Sequence, residues 1–218
     1  MKKIAVVIAG CGHIDGAEIR ESLFTLLHLS KQHLDYQVIA PNRPQHHVIN
    51  HLTGQEAVGE QRNILVEAAR IARGEIIALD QANANDYDAI IFPGGTGAAK
   101  NLFNLALVGP DYQIEPDVQQ FANDFVHAKK PMGFICIMPM LIPHLFAEGA
   151  LLTTGPSADI AAIAEAKGSY NQPAGPEEIV VDQDHKIVCT PAYMHDDARI
   201  EQVELAIGKL VGQIKKWL

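Results

Sequence analysis

The feature that most constrains this chain is Ile4-Ala5-Val6-Val7-Ile8-Ala9, six apolar residues in unbroken succession. A strand with one wet face alternates apolar and polar side chains, whereas an unbroken run suits a strand covered on both faces. Three further, mainly apolar stretches, Tyr36–Ala40, Asp88–Phe92 and Pro131–Ile135, also read as strands and are separated by sequence of helical spacing. Strands that alternate with helices in this way build a parallel sheet with helices on both sides. The fold class expected is therefore α/β.

The helices can be placed by their apolar spacing. Asp15 is a candidate cap for the first, with Glu18 three residues on as in a capping pattern, and Leu23, Leu26, Leu27, Ser30 and Leu34 supply a mostly apolar face. Ile64, Leu65, Ala68, Ile71 and Ala72 mark a second helix, stopped by Gly74, and Pro116–Lys129 a third, with Val118, Phe121, Ala122 and Phe125 inward. Ile179-Val180-Val181 and Lys186-Ile187-Val188-Cys189 flank a polar tetrapeptide and read as a late β-hairpin. A closing amphipathic helix runs through Val203, Ile207, Leu210, Val211 and Ile214, while Asn42–Glu60, with His46, His47 and His51, lacks periodicity and reads as a surface loop. No linker divides the 218 residues, so residues 1–218 are expected to form one domain.

Charge and cysteine usage narrow the function classes. Seventeen Lys and Arg against 26 Asp and Glu give a net charge of −9, which repels phosphate backbones and anionic headgroups and argues against nucleic acid or membrane partners. Cys11, Cys136 and Cys189 are odd in number and lack paired spacing, so neither a disulfide framework nor a zinc site is expected, and a reducing cytoplasm fits. The His46, His47, His51 group has no nearby cysteine or aspartate to complete a metal site. Lys2-Lys3 precedes the apolar run and Ile8-Ala9-Gly10-Cys11 superficially resembles a lipoprotein cleavage box, but Ile4–Ala9 is shorter than the usual signal core of about 7–15 residues, so export is not expected.

In sheets of this type ligands sit beyond the carboxyl ends of the strands. Three segments there carry chemistry. Gly10-Cys11-Gly12-His13-Ile14-Asp15-Gly16 nearly fits a dinucleotide fingerprint but has Asp15 at the third glycine, and the second strand ends in Ala40-Pro41-Asn42 with no acidic ribose ligand. A nicotinamide cofactor is thus not expected. Phe92-Pro93-Gly94-Gly95-Thr96-Gly97-Ala98-Ala99-Lys100 can turn tightly and present N–H groups to an anion, or be simply a turn. Gly133-Phe134-Ile135-Cys136-Ile137-Met138-Pro139 runs an apolar strand into a cysteine and then a helix, the pattern of a nucleophile elbow, where the helix end would lower the thiol pKa. The competing reading makes Cys136 a small buried hydrophobe.

These segments, with Asp15-Gly16-Ala17-Glu18-Ile19, Val48–Gly54, Arg62-Asn63 and Thr190-Pro191-Ala192-Tyr193-Met194, resemble the ElbB-type branch of the PfpI-like superfamily, whose members are called isoprenoid-biosynthesis or enhancing-lycopene-biosynthesis proteins. The resemblance covers essentially the whole chain. It implies a flavodoxin-like three-layer sandwich akin to class I glutamine amidotransferase domains, a homodimer, and a cofactor-independent glyoxalase activity on a small dicarbonyl. Cys136 matches the nucleophile, Gly95 and Ile137 the backbone oxyanion donors with Gly94 beside them, and Glu18 the accompanying carboxylate, with Glu21 its rival one turn along. The superfamily's dyad histidine is missing, since Ile137 follows Cys136; His13 and His195 are the candidates left to reach the site. A non-enzymatic redox or stress sensor, with Cys136 oxidised rather than acylated, uses the same features.

Overall fold

Apolar residues that alternate in sequence separate to opposite faces of a strand, and the first strand shows where they go. Ala5, Val7 and Ala9 enter one buried cluster while Ile4, Val6 and Ile8 enter another, which is why the run is continuous. The computed structural model describes residues 2–146 and 149–218. Its main sheet contains β1 (Lys3–Val7), β2 (Asp35–Ala40), β3 (Ile76–Ala78), β4 (Ala89–Phe92), β5 (Met132–Ile135), β6 (Val180–Asp182) and β7 (Ile187–Thr190). The strand order is β6-β7-β5-β4-β1-β2-β3. Every neighbouring pair is parallel except β6 with β7, the expected late hairpin.

Helices α1 (Ile19–Lys31), α2 (Ile64–Ile71) and α5 (Ile200–Trp217) cover one face, and α3 (Pro116–His127) with α4 (Ala158–Ala166) covers the other. The result is the flavodoxin-like three-layer α/β sandwich that was expected. Strand β3 and helix α4 have weak sequence signals, β3 being a three-residue edge strand and α4 a short alanine-rich helix capped by Ser157.

Helix α1 departs from expectation in both start and face. Asp15 does not cap it; the Asp15 carboxylate instead accepts the Ile49 N–H at 2.7 Å, and Glu18 is the cap, its Oε2 accepting from the Glu21 N–H at 2.6 Å. The inward face carries Glu21, Ser22, Thr25 and Leu29, whereas Leu23 and Leu27 face outward, 46% and 41% exposed. Ser22 and Thr25 can occupy the inner face because their hydroxyls donate to the Glu18 and Glu21 carbonyls at 2.7 and 2.8 Å, and α1 lies against α5 where Gly208 leaves room for the His28 ring. The 42–60 segment has an exposed tip at Leu52, yet its start is tied in through buried Gln45, Val48 and Ile49. A small ribbon pairs Ile49–Asn50 with Gln55–Glu56.

The chain runs outward from β1 to β2 and β3, then returns to the far side of β1 with β4. The two connections leave in opposite directions, and a crevice opens where they part, beyond the carboxyl ends of β1 and β4.

Candidate active site

Strand β5 delivers Cys136 to that crevice. The strand ends at Ile135, and the Cys136 N–H still bonds the Thr190 carbonyl of β7 at 2.9 Å, so the backbone is anchored as it turns. Cys136 itself has φ +62°, a left-handed conformation that costs a non-glycine residue on the order of 1–3 kcal/mol. The chain then enters a 3-10 turn, Met138–Leu141, and a four-residue helix, Ile142–Leu145. This is a strand-to-turn elbow. The backbone N–H groups of Gly95 and Ile137 both donate to the Cys136 sulfur.

A buried carboxyl stands behind the sulfur, and it belongs to Glu21. Glu21 is fully buried, its Oε2 accepts the Gly94 N–H at 2.8 Å, and the Tyr193 N–H lies close enough to lower its pKa. The carboxyl lies beside the Cys136 thiol, each group shifting the other's pKa, while its Oε1 has no hydrogen-bond partner. Gly94 is required by this contact: a Cβ there would stand 2.6 Å from the Cys136 Cβ and 2.9 Å from Glu21 Oε2. Ala192, at φ +45°, bends the chain after β7 so that the Tyr193 N–H faces the same carboxyl.

Two expectations are corrected here. Glu18 was matched to the carboxylate beside the cysteine; because Glu18 is the cap, Glu21 falls in the first turn of α1, where side chains lean back toward the helix start and the crevice. Glu18 lines the outer, open side. The second concerns acidity. Burial first, then the Glu21 charge, pushes the Cys136 thiol well above its ordinary value, against the lowering effect of the Gly95 and Ile137 N–H groups. The helix that was to lower it is a single short turn, with little dipole to offer. Burial and the neighbouring Glu18 likewise push Glu21 up to about 8, so its carboxyl is mostly protonated at neutral pH.

On the solvent side two contiguous hollows, of about 580 and 590 Å³, meet at Thr96, Cys136, Tyr193 and Asp196. One continues past Glu18, Arg20 and His13, the other past Leu105, Ile160 and Met194. Arg20 reaches over the polar hollow to the Tyr193 hydroxyl at 3.2 Å. His13 lines it too, its pKa lowered by burial and by His51, whose ring meets it edge-on at 5.2 Å. His195 does not reach the sulfur, because its Nε2 is 2.8 Å from the Ala174 carbonyl and it lines neither hollow. Sequence reading passed over Arg20, Tyr193 as an N–H donor, and Asp196. The marker of Tyr193 was its place in Thr190-Pro191-Ala192-Tyr193, just past a strand end.

The remaining motifs are structural. The two glycine loops pack on each other, with the Gly97 N–H bonded to the His13 carbonyl at 2.9 Å, and a Cβ on Gly97 would collide with the Gly16 backbone. Lys100 bridges them, donating to the Ile14 carbonyl and to His47 Nε2, both at 2.9 Å. Among the described residues no three His, Cys, Asp or Glu side chains converge in a way that could hold a metal. Cys189 sits inside β7, fully buried, and burial drives its thiol far upward.

This sheet order, with a left-handed cysteine beyond β5, next to the central strand β4, defines a class I glutamine amidotransferase-like fold. Known structures agree. An isoprenoid biosynthesis protein with an amidotransferase-like domain from Ehrlichia chaffeensis superposes with a TM-score of 0.90 at 33% identity, over 99% of this chain and 100% of that one. Glyoxalase III from Candida albicans shares the fold at 13% identity, with a TM-score of 0.63 over 97% of each chain. No family model matches the sequence.

Two curated relatives are more similar in sequence. The human glutamine amidotransferase-like class 1 domain-containing protein 3, mitochondrial, is 40% identical over 221 residues, and the rat ES1 protein homolog, mitochondrial, 39%; each alignment spans 97% of this chain and 82% of the relative. The chain belongs to this ES1 family of glutamine amidotransferase-like class 1 proteins. Both relatives are named as mitochondrial, which overturns the cytoplasmic expectation. Unpaired cysteines separate reducing from oxidising compartments and carry no signal that distinguishes one reducing compartment from another.

Proposed function

We propose that this ES1-family chain is an ElbB-type, cofactor-independent glyoxalase, converting a 2-oxoaldehyde to the corresponding 2-hydroxy acid. The observation that carries the reading is the Cys136–Glu21 pair: a nucleophile and a proton carrier in direct contact, with no histidine between them. The fold shared with a glyoxalase III supports the reaction class.

The reaction begins when the ionised fraction of Glu21 takes the thiol proton as the Cys136 sulfur bonds to the aldehyde carbon. Negative charge builds on the carbonyl oxygen, and the N–H groups of Gly95 and Ile137, already directed at the sulfur, are the nearest donors to hold it. Glu21 returns the proton to that oxygen, giving a neutral hemithioacetal. It then removes the hydrogen from the same carbon and delivers it to the adjacent one, while the hydroxyl proton moves to the second oxygen. The product is a 2-hydroxyacyl thioester. Water adds to it, the C–S bond breaks, the acid leaves and the thiol regains its proton. A carboxyl whose pKa is raised to about 8 suits both donation and abstraction near neutral pH.

The redox alternative is less well supported, because oxidation proceeds through an accessible thiolate and Cys136 is buried with its pKa raised. The test is turnover of glyoxal and methylglyoxal without added metal, thiol or nucleotide. Wild type should release the hydroxy acid and Cys136→Ser should not. Wild-type protein that turns over neither overturns the proposal.

A further inference from the structure

Glyoxal has only two carbons, and the apolar hollow beside Cys136 is far larger than it needs. Four separate segments build that hollow: Leu105 from the turn after the second glycine loop, Ile137 next to the nucleophile, Ile160 and Ile163 from one face of α4, and Met194 after β7. Asp196, at the rim shared with the polar hollow, is the one carboxylate among its described lining residues, which include no Lys, Arg or His. About 580 Å³ lies within the range of pockets that enclose whole drug-sized ligands, roughly 300–1,000 Å³.

The hollow begins at the reacting atom. With the carbonyl oxygen directed to the Gly95 and Ile137 N–H groups, the rest of the substrate must project into one hollow or the other. The polar one, with His13, Glu18 and Arg20, suits water and the polar end. We infer that the apolar hollow is a subsite for an apolar substituent, so that the substrates are 2-oxoaldehydes R–CO–CHO in which R is an alkyl chain of several carbons, with glyoxal itself a poor fit. Glyoxal leaves this wall wet, whereas each methylene buried there adds about threefold to fourfold in affinity. This inference rests on the glyoxalase reading only for the identity of the reacting group; the subsite itself can be tested without turnover.

The first arm uses alkylation at alkaline pH by iodoacetamide and by N-hexyl iodoacetamide, followed by mass spectrometry of Cys136. In both, the thiolate sulfur bonds to the same methylene carbon and iodide leaves. Cys11, in the same chain and outside both hollows, reports the intrinsic difference between the reagents. The hexyl reagent should gain on the order of tenfold at Cys136 relative to Cys11. Ile160→Thr and Ile163→Thr, which keep the β-branch and replace apolar wall with a hydroxyl on partly buried positions, should each lower that gain about threefold to fourfold. Reading a ratio cancels any general change in thiol reactivity, and circular dichroism checks that each variant is folded. Equal ratios at Cys136 and Cys11 overturn the subsite.

The second arm compares kcat/KM for hexylglyoxal and glyoxal, expected to favour hexylglyoxal about tenfold or more in wild type and less in the two variants. Turnover that favours glyoxal overturns the substrate class. A hexyl gain at Cys136 with no dicarbonyl turned over removes the glyoxalase reading and leaves the subsite standing. Turnover without the gain does the reverse.

Discussion

The inner and outer walls around Cys136 draw their carboxyls from the same end of α1, yet the two groups live in different solvents. Glu21 faces inward, fully buried, held by the Gly94 N–H and beside the thiol. Glu18 sits three residues earlier, at the cap, half open to the polar hollow beside His13 and Arg20. Burial raises both pKa values, but only Glu21 reaches about 8. Placement relative to water, rather than residue type, thus decides which carboxyl can carry a proton at neutral pH.

The sharpest way to break this comparison is to remove each carboxyl in turn. Glu21→Gln should cost dicarbonyl turnover on the order of 10²-fold or more, the usual loss for a positioned acid/base. Glu18→Gln should cost only a few-fold, through the cap and the charge beside Glu21. Steady-state kinetics of the two variants decides; a larger loss at Glu18 would return the proton-transfer role to the outer wall.

The pH dependence sharpens it further. Attack needs an ionised Glu21, so kcat/KM should rise with pH and level off above about 8, a profile belonging to the Glu21–Cys136 pair. Stability should move the other way. The folded chain holds the Glu21 proton more tightly than the unfolded chain does, so stability is greatest below the ordinary carboxylate value of 4.5 and is lost as pH climbs through about 8. Glu21→Gln removes that loss. Its melting temperature should exceed wild type by several degrees at pH near 9 and match it near pH 5, as differential scanning calorimetry would show. A wild-type melting temperature independent of pH between these limits would mean that Glu21 is not the proton holder.

A smaller effect separates the cysteines. At neutral pH without substrate, limiting iodoacetamide should label Cys11 first, Cys136 severalfold more slowly and Cys189 least, in line with their exposure. Mass spectrometry that finds Cys136 labelled first would show an acidic thiol despite its burial. The smallest expected change concerns assembly. For the homodimer that resemblance implies, we propose a contact on α1, where Ile19, Leu23 and Leu27 form an exposed apolar stripe, rather than at Trp217, which packs against the core and bonds Gln183 at 2.9 Å. Light scattering should report a dimer for wild type and a shift toward monomer for Leu23→Glu; a monomeric wild type ends that proposal.

Much of the frame is legible in order along the chain, because a strand covered on both faces must be apolar throughout and the four runs announce themselves. The elbow is legible too, as an apolar strand running into Cys136. The α1 face differs because leucine spacing outweighs serine and threonine in any apolar count, whereas Ser22 and Thr25 can be buried once their hydroxyls bond the Glu18 and Glu21 carbonyls. Helix α4 and strand β3 were missed because one is short and alanine-rich and the other is a three-residue edge. The apolar hollow had no sequence signature, since its wall comes from residues as far apart as Leu105 and Met194.

By itself, then, the sequence determined the α/β class, the alternation of strands and helices, and the place of Cys136 at a strand end. These follow from periodicities of a few residues, which local sterics and burial impose. Only the tertiary structure decided that Glu21 rather than Glu18 meets the thiol, that burial raises both groups, and that an apolar and a polar hollow meet at the sulfur. A pKa and a cavity depend on what lies within a few ångströms in space, and here those neighbours come from α1, the loop after β4, the elbow after β5 and the turn after β7.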